Sequence, residues 1–556
     1  MEKTSHFKLL GVLLIIGYFF LMAGNGLVSL THPDEVFYMQ TAKEMDARDS
    51  WLTPYIFDEP QFEKPLFFYT LLRLSIKFAG LDPFWARFWP SFFAILGMGI
   101  TYWMGWMLFR SKRAAFLSAF ILGTSFIYLA LARAILTDMV FSVIVVASLA
   151  FFYWGYITPR KKNSGIIFCF AFAGLAVLTK GVFGFLFPAT VIGAFLFFKK
   201  DFGYLKNRAT MIGGFLFLLI SVPWHVHMYQ LYGDHFVNDY WWNVHVKRIY
   251  DAEHERSNTW YFYLGTMLGG MMPWSFFLVP GSYWTYRQLR NNASSRQPVM
   301  FLFAWILLIW ACVQPAHSKL ASYHFAVFPA LAILTANFID NILKTKEDRF
   351  LSRVMAVAPW IMVILLFGAA VFAIIFAKQN IDMVVDMTSP YVFCGLSALL
   401  AVAMIIFIRS RRDMAVVFAH GGIIVVVLAT LFLGRMYAEP WVSCKQVADQ
   451  FVEMDQSDTT VLCSKFYVRG IRYYTDRKVA VIDINGDGFF TPHPIPFLNS
   501  DNKVLEFLES QDKTFAIVKD SNVDDLKRIA GRGNFKVSLL NEIADKYILK
   551  IEKVKN

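Results

Sequence analysis

The feature that most constrains this 556-residue chain is a series of apolar runs that starts at residue 9 and continues to residue 434. A run of about 18 apolar residues crosses a ~30 Å hydrocarbon layer, and about thirteen segments reach or approach that length. They are 9–30, 84–109, 114–132, 137–156, 164–179, 182–198, 209–224, 260–283, 299–313, 322–340, 354–377, 390–408 and 414–434. The fold class they predict is a polytopic α-helical membrane protein. Composition excludes a soluble globular protein, because 57% of the residues are hydrophobic and only 17% charged, against about a quarter charged in ordinary soluble domains.

The connectors between the runs alternate between two kinds. One kind is basic: Arg110, Lys112 and Arg113, then Arg160, Lys161 and Lys162, then Lys199, Lys200, Lys206 and Arg208. The series continues through Arg287, Arg290 and Arg296 and through Lys344, Lys346, Arg349 and Arg353 to Arg409, Arg411 and Arg412. Lys and Arg collect on the cytoplasmic side of membrane proteins, so these connectors, with Lys3 and Lys8, are expected inside a bacterial inner membrane. No small-residue cleavage site follows the first run, which is expected to remain as a span. The formal charge of +12 then has a topological origin and does not imply nucleic acid as a partner.

The other connectors, loops 31–83 and 225–259 and the segment from Gln314 to Tyr323, carry acids, histidines, Trp and Pro. An odd number of spans places them, and the chain after about residue 440, in the periplasm. Two domains are expected: 1–440, a transmembrane unit with its loops, and 441–556, a soluble α/β domain. In the latter, β-rich runs from Val461, Val479, Thr514 and Tyr547 alternate with helical stretches 501–511 and 521–530. Cys444 and Cys463 are the two cysteines of that exported part and are expected to be bridged. Cys169, Cys312 and Cys394 lie in spans, where they pack as small apolar groups.

Candidate chemistry gathers at the loop-bearing face. Asp34 and Glu35 open a helix behind Pro33, next to the first span, with Tyr38 one turn on. Asp34, the first of the pair past the bilayer edge, is the stronger candidate, although acids at a helix start also serve the helix dipole. Glu63 and Lys64 sit among aromatics before Pro65, a setting that suits an anion held at the interface. Asp138 and Lys180 lie at span ends, where an ionisable group is a functional candidate; Arg133, one turn before Asp138, is a ready partner for it. The second loop adds His245, Lys247, Arg248, His254 and Arg256, and the third His317, Ser318, Lys319, Tyr323 and His324. A cation-rich face over an apolar bundle suits an anion with a greasy tail, such as a polyprenyl phosphate. Two patterns are decoys. Asp483 to Gly488 starts like a calcium loop but has Pro494 at its twelfth position, and His225 and His227, two residues apart, face different sides of a helix.

Taken in order, Asp34-Glu35…Tyr38, Trp51-Leu52-Thr53-Pro54, Phe62-Glu63-Lys64-Pro65-Leu66, Leu136-Thr137-Asp138, Leu178-Thr179-Lys180-Gly181, Pro223-Trp224, His245 to Arg248 and Ser318-Lys319-Leu320…Tyr323 form a series. The series resembles the GT-C membrane glycosyltransferases, nearest the family of the lipid A 4-amino-4-deoxy-L-arabinose transferases and the protein O-mannosyltransferases. The resemblance implies a GT-C fold and transfer of a sugar from a polyprenyl (undecaprenyl) phosphate to an envelope acceptor on the periplasmic face, lipid A first among acceptors. On the matching positions it implies Asp34 as the catalytic carboxylate, with Asp138 beside it, and Lys64, Arg248 and Lys180 on the donor phosphate. Glu35, Tyr38, Lys319 and Tyr323 would line the substrate cavity. Glu63 and His245 are the pair it offers to a divalent cation, and the chemistry requires no cofactor. Phe37 is a departure, because many aminoarabinose-using members have arginine there.

The alternatives are a protein or polysaccharide O-glycosyltransferase of the mannosyltransferase type and, from another class, a lipid-linked sugar transporter or flippase. A transporter calls for charges near the midplane and interrupted, repeat-related helices. The sequence displays neither.

Overall fold

A computed structural model describes the chain except residues 2–3, 252–256, 292–295, 346, 381–386, 490–492 and 555–556. Lys3, His254, Arg256 and Lys346 therefore lie outside the described residues. All thirteen apolar runs are built of helix. Nine helices are long and apolar enough to cross a membrane, from Pro83–Phe109 to Asp413–Val442, among the described residues. Two helix pairs reach that length only together, bent by 63° between Lys112–Gly123 and Phe126–Ala132 and by 113° between Phe262–Gly270 and Ser275–Arg290. His6–Met22 and Phe183–Lys199 are shorter apolar helices. A count of thirteen spans is therefore not confirmed: among the described residues nine helices are long and apolar enough to cross, or up to eleven if each bent pair is one span.

The bends correct the expectation of uninterrupted helices. Each break satisfies the other: Phe126 N–H donates to the Met272 carbonyl at 3.0 Å, and Trp274 Nε1 donates to Thr124 Oγ1 at 3.0 Å. Backbone groups released by a broken helix need such partners away from water. On the basic face, the buried Asp340 carboxylate gathers Arg113 and Lys344, each at 2.5 Å, and the Ser111 hydroxyl at 2.9 Å.

On the other face the first loop folds as helix Asp34–Ala47, a two-stranded hairpin of Tyr55–Ile56 and Glu59–Pro60, and helix Leu66–Ala79. Glu44 fixes the hairpin to the first helix, its carboxylate accepting from Phe57 N–H at 2.9 Å and Asp58 N–H at 2.8 Å. Both hairpin residues have left-handed backbone, with φ of 52° and 70°.

The C-terminal part is a six-stranded mixed sheet in the order Phe497–Leu498, Val479–Ile482, Val461–Ser464, Lys513–Val518, Lys546–Lys553, Phe535–Ile543. The first four strands are parallel, and the last two pair antiparallel. Phe535–Ile543 has no counterpart among the sequence-based strands. It is an edge strand, irregular between Leu539 and Asn541, and its mixed exposure breaks the alternation that marks a half-buried strand. One face of the sheet closes its own core around Leu462, Leu526 and Leu549. The other, with Cys463, Tyr467 and Ile517, is continuous with the core of the helical bundle. The expected Cys444–Cys463 bridge is not formed, and both thiols are free and buried. Cys444 instead lies 3.6 Å from His32 Nδ1, and burial pushes its thiol up to about 12, which keeps it unreactive.

Candidate active site

The ends of helices Thr137–Ile157 and Lys162–Lys180 bring two of the candidate charges together. Asp138, in the first turn of one, and Lys180, the last residue of the other, form an ion pair of 2.5 Å. Arg133 does not join them. It donates instead to the Phe20 and Ala23 carbonyls and to Asn25 Oδ1, at 2.8 to 2.9 Å. Gly181 ends the helix with φ +79°, and a Cβ there would come within 2.5 Å of His245 Nε2 and 2.9 Å of the Tyr240 hydroxyl. Glycine at this position is what lets the second loop close onto the helix end.

That loop is held from both sides. His245 Nδ1 donates to the Tyr240 carbonyl at 2.7 Å. The Tyr240 hydroxyl lies 2.9 Å from Nε2 of His225, which explains a histidine that the spacing had excluded as a metal ligand. The third loop docks on the second through Ser318 N–H to the Arg248 carbonyl at 3.3 Å and His317 N–H to the Ile249 carbonyl at 3.2 Å.

Between these elements lies a cavity whose wall includes Lys64, Lys180, Arg248, Glu63, His245 and Tyr323, among aromatic and aliphatic side chains such as Phe141, Phe183 and Val313. All three candidate phosphate-binding cations are on this wall. Tyr323 organises two of them, its hydroxyl 3.3 Å from Arg248 Nη1 and its ring centre 5.1 Å from the Lys180 ammonium. Burial, with Arg248 and Lys180 nearby, lowers the Lys64 ammonium to about 8 even though Glu63 opposes the shift. Burial opposes ionisation of Glu63, but Lys64, Arg469 and Arg248 outweigh it and hold the carboxyl below its usual range. His245 is neutral at physiological pH, lowered by burial to about 4.

A second cavity adjoins the first, with Glu59, Gln61, His235, Asp239 and His493 on its wall and Glu63 common to both. Asp34 reaches solvent but is ringed by protein. Burial raises its carboxyl above the usual range, and the charges acting on it are Arg469, Glu63, Asp138 and Lys64.

Asp34 is on neither cavity wall, and four further candidates sit elsewhere than expected. Glu35 faces the bundle, not a cavity: it pairs with buried Arg87 at 2.5 Å and also accepts from Ile135 N–H and from Thr31 N–H and Oγ1. Tyr38 is buried with its ring edge on Phe68, away from both cavity walls. Lys319 turns from the cavity to Asn258 Oδ1 at 3.1 Å. Asp138 acts through Lys180 and is not itself on the wall.

Glu63 and His245 offer one oxygen and one nitrogen donor, and no group of three or more His, Cys, Asp or Glu suited to a metal exists among the described residues. Glu63 and His245 are thus the side chains that would hold a divalent cation shared with a phosphate, which needs only one or two protein donors. Sequence reasoning missed Arg87, Tyr240, Arg469 and His493. Arg87 alone had a visible signal, as an arginine inside an apolar run.

Residues 8–249 match the family model described as dolichyl-phosphate-mannose-protein mannosyltransferase. A protein of Aquifex aeolicus without an assigned function is 29% identical over 335 residues, 60% of this chain and 64% of that protein. The undecaprenyl phosphate-alpha-4-amino-4-deoxy-L-arabinose arabinosyl transferase 1 of Proteus mirabilis is 27% identical over 330 residues, 59% of this chain and 58% of its own length. The chain thus spans less than two thirds of the length of these relatives. The crystal structure of ArnT from Cupriavidus metallidurans bound to undecaprenyl phosphate superposes with a TM-score of 0.76 at 19% identity, over 98% of this chain and 97% of that one. A multi-pass membrane protein with a C-terminal sheet domain, the chain matches the mannosyltransferase family model over residues 8–249 and shares the fold of ArnT over 98% of its length.

Proposed function

We propose that this protein is a glycosyltransferase that moves a sugar from a polyprenyl phosphate to an acceptor in the cell envelope, at the loop-bearing face, which we place in the periplasm of a bacterial inner membrane. The observation that carries the reading is the convergence of Lys64, Lys180 and Arg248 on one largely apolar cavity. The apolar wall suits an isoprenoid chain, and the cations suit its phosphate. When the anomeric carbon–oxygen bond breaks, negative charge builds on the departing phosphate, and fixed cations already aimed at it lower the barrier. Asp138 holds the Lys180 ammonium in place, and Tyr323 holds both Lys180 and Arg248.

Asp34 is the general base for a hydroxyl acceptor. Its raised pKa brings the carboxyl nearer the operating pH, where a base is most effective. An acceptor that is already an ionised phosphate has no proton to lose, and Asp34 then orients it. The second cavity, which meets the first at Glu63, is the side from which an acceptor reaches the sugar.

The names of the relatives favour a 4-amino-4-deoxy-L-arabinose donor, and with it lipid A as acceptor. The match of residues 8–249 to a protein mannosyltransferase family favours protein as the second acceptor class. The purified protein in lipid nanodiscs is expected to release undecaprenyl phosphate from an undecaprenyl-phosphate sugar only when an acceptor is added, and Asp34→Asn is expected to stop that release. Mass spectrometry of lipid A and of envelope glycoproteins, from cells with and without the gene, separates the two acceptors. Full turnover in Asp34→Asn would remove Asp34 from the chemistry.

A further inference from the structure

The loop helix Asp34–Ala47 is covered by helix Val468–Thr475 of the C-terminal part, whose second residue is Arg469. The Arg469 guanidinium lies 4.7 Å from the ring centre of Phe37 and 5.7 Å from that of Phe489. One Nη donates to His493 Nε2 at 2.9 Å, and Nε has no hydrogen-bond partner among the described residues. No described carboxylate lies within ion-pair distance of it, whereas neighbouring Arg472 is claimed by Asp58 at 2.7 Å. Phe37 follows Asp34 by one helical turn. An aromatic ring fixes a guanidinium without neutralising it, so the charge remains available to the carboxylates around it.

We infer that Arg469 is a positioning residue of the active site, a cation that the C-terminal part lays on Phe37, one helical turn from Asp34, to favour the ionised Asp34 carboxylate. The inference rests on Asp34 as the catalytic carboxylate. Among the described charges that bear on Asp34, Arg469 comes first. The others are Glu63 and Asp138, which oppose its ionisation, and Lys64, which favours it. Arg469 also favours ionised Glu63, so one side chain from outside the bundle biases both carboxyls at the junction of the cavities. The helical part alone would carry an Asp34 that ionises only at higher pH.

The test uses the full chain in nanodiscs with Arg469→Ala, Arg469→Lys and the double substitution Arg469→Ala with Phe37→Arg. Arg469→Gln serves if the alanine form does not fold. Three quantities are read: binding of undecaprenyl phosphate, ionisation of Asp34 by infrared difference titration with Asp34→Asn as the blank, and the pH profile of transfer. Loss of the charge is expected to move the Asp34 midpoint and the acid limb of kcat upward by about one unit, a tenfold loss of ionised carboxylate on that limb. Undecaprenyl phosphate binding is expected to stay within about twofold. Lysine at 469, or arginine placed at 37, is expected to restore the midpoint. An unmoved midpoint in a folded charge-loss variant, or a double variant that does not recover, overturns the inference. If the midpoint shifts as expected while the wild-type protein transfers no sugar from any polyprenyl phosphate, the catalytic reading of Asp34 fails and the Arg469 effect stands.

Discussion

Gly181 and Lys64 show how narrowly single residues determine this site. A methyl group at position 181 would meet His245 Nε2 at 2.5 Å, in a backbone conformation of φ +79° that a substituted residue resists. Gly181→Ala is therefore expected to push the second loop off the helix end and displace Arg248, weakening undecaprenyl phosphate binding about tenfold or more, as read by a binding titration. Lys64 makes a pH prediction. Its ammonium is lowered from 10.5 to about 8 in the folded protein, so between those values the unfolded chain holds a proton that the folded one has released. The ligand-free protein gains stability as pH rises through that window and loses it as pH falls through about 8. A bound phosphate needs the charged form, so its affinity is expected to decline up to about tenfold per unit above pH 8. Titrations across that range check this, and Lys64→Arg is expected to flatten the decline. The cations were legible in the sequence because charge beside an apolar run is rare. The separate fates of Asp34 and Glu35 were not, since adjacent helical residues point about 100° apart and nothing local says which direction is the bundle.

At the scale of elements, Glu35 and Arg87 show why the first loop is rigid. Both side chains are almost fully buried, and the guanidinium also caps the Asn25, Val28 and Ser29 carbonyls at 2.7 to 3.0 Å. The pair ties helix Asp34–Ala47 to the start of helix Pro83–Phe109 and thereby sets the height of Asp34 above the bundle. Arg87→Gln leaves a buried carboxylate unpaired and is expected to destabilise the protein by about 3–5 kcal/mol, seen as a lower unfolding temperature in detergent. The order of the apolar helices and the strands Val461–Ser464, Val479–Ile482, Lys513–Val518 and Lys546–Lys553 were legible, because each obeys a length or periodicity rule; the two-residue strand Phe497–Leu498 was too short to show one. The bends at 124–125 and 271–274 were not legible. Thr124 and Met272 look like ordinary span residues, and it is the bonds they accept across the bundle, Met272 from Phe126 N–H and Thr124 from Trp274 Nε1, that make the breaks tolerable.

For the molecule as a whole, the junction between the helical and sheet parts decides how much of the site survives damage. Exposed ion pairs cross it, such as Lys43 with Asp476 at 2.6 Å, but surface pairs are worth about 0–1 kcal/mol. The stronger tie is Lys546, with a fully buried side chain that donates to the Pro440 and Trp441 carbonyls at 2.7 and 3.2 Å and to Asp545. Lys546→Met is expected to loosen the sheet and expose the junction near residue 443 to protease, whereas Lys43→Ala is expected to leave the digestion pattern unchanged. That the sheet part reaches the site at all could not be read from its sequence, since Arg469 and His493 belong to it only through docking.

Among the described residues, Glu63 is the one on the walls of both cavities. The two chambers can therefore drift apart over evolutionary time. Substitutions at Glu59, His235, Asp239 or His493 can refit the polar chamber to a new acceptor while the cationic chamber keeps its lipid, and a lineage can change what it decorates without relearning what it decorates with.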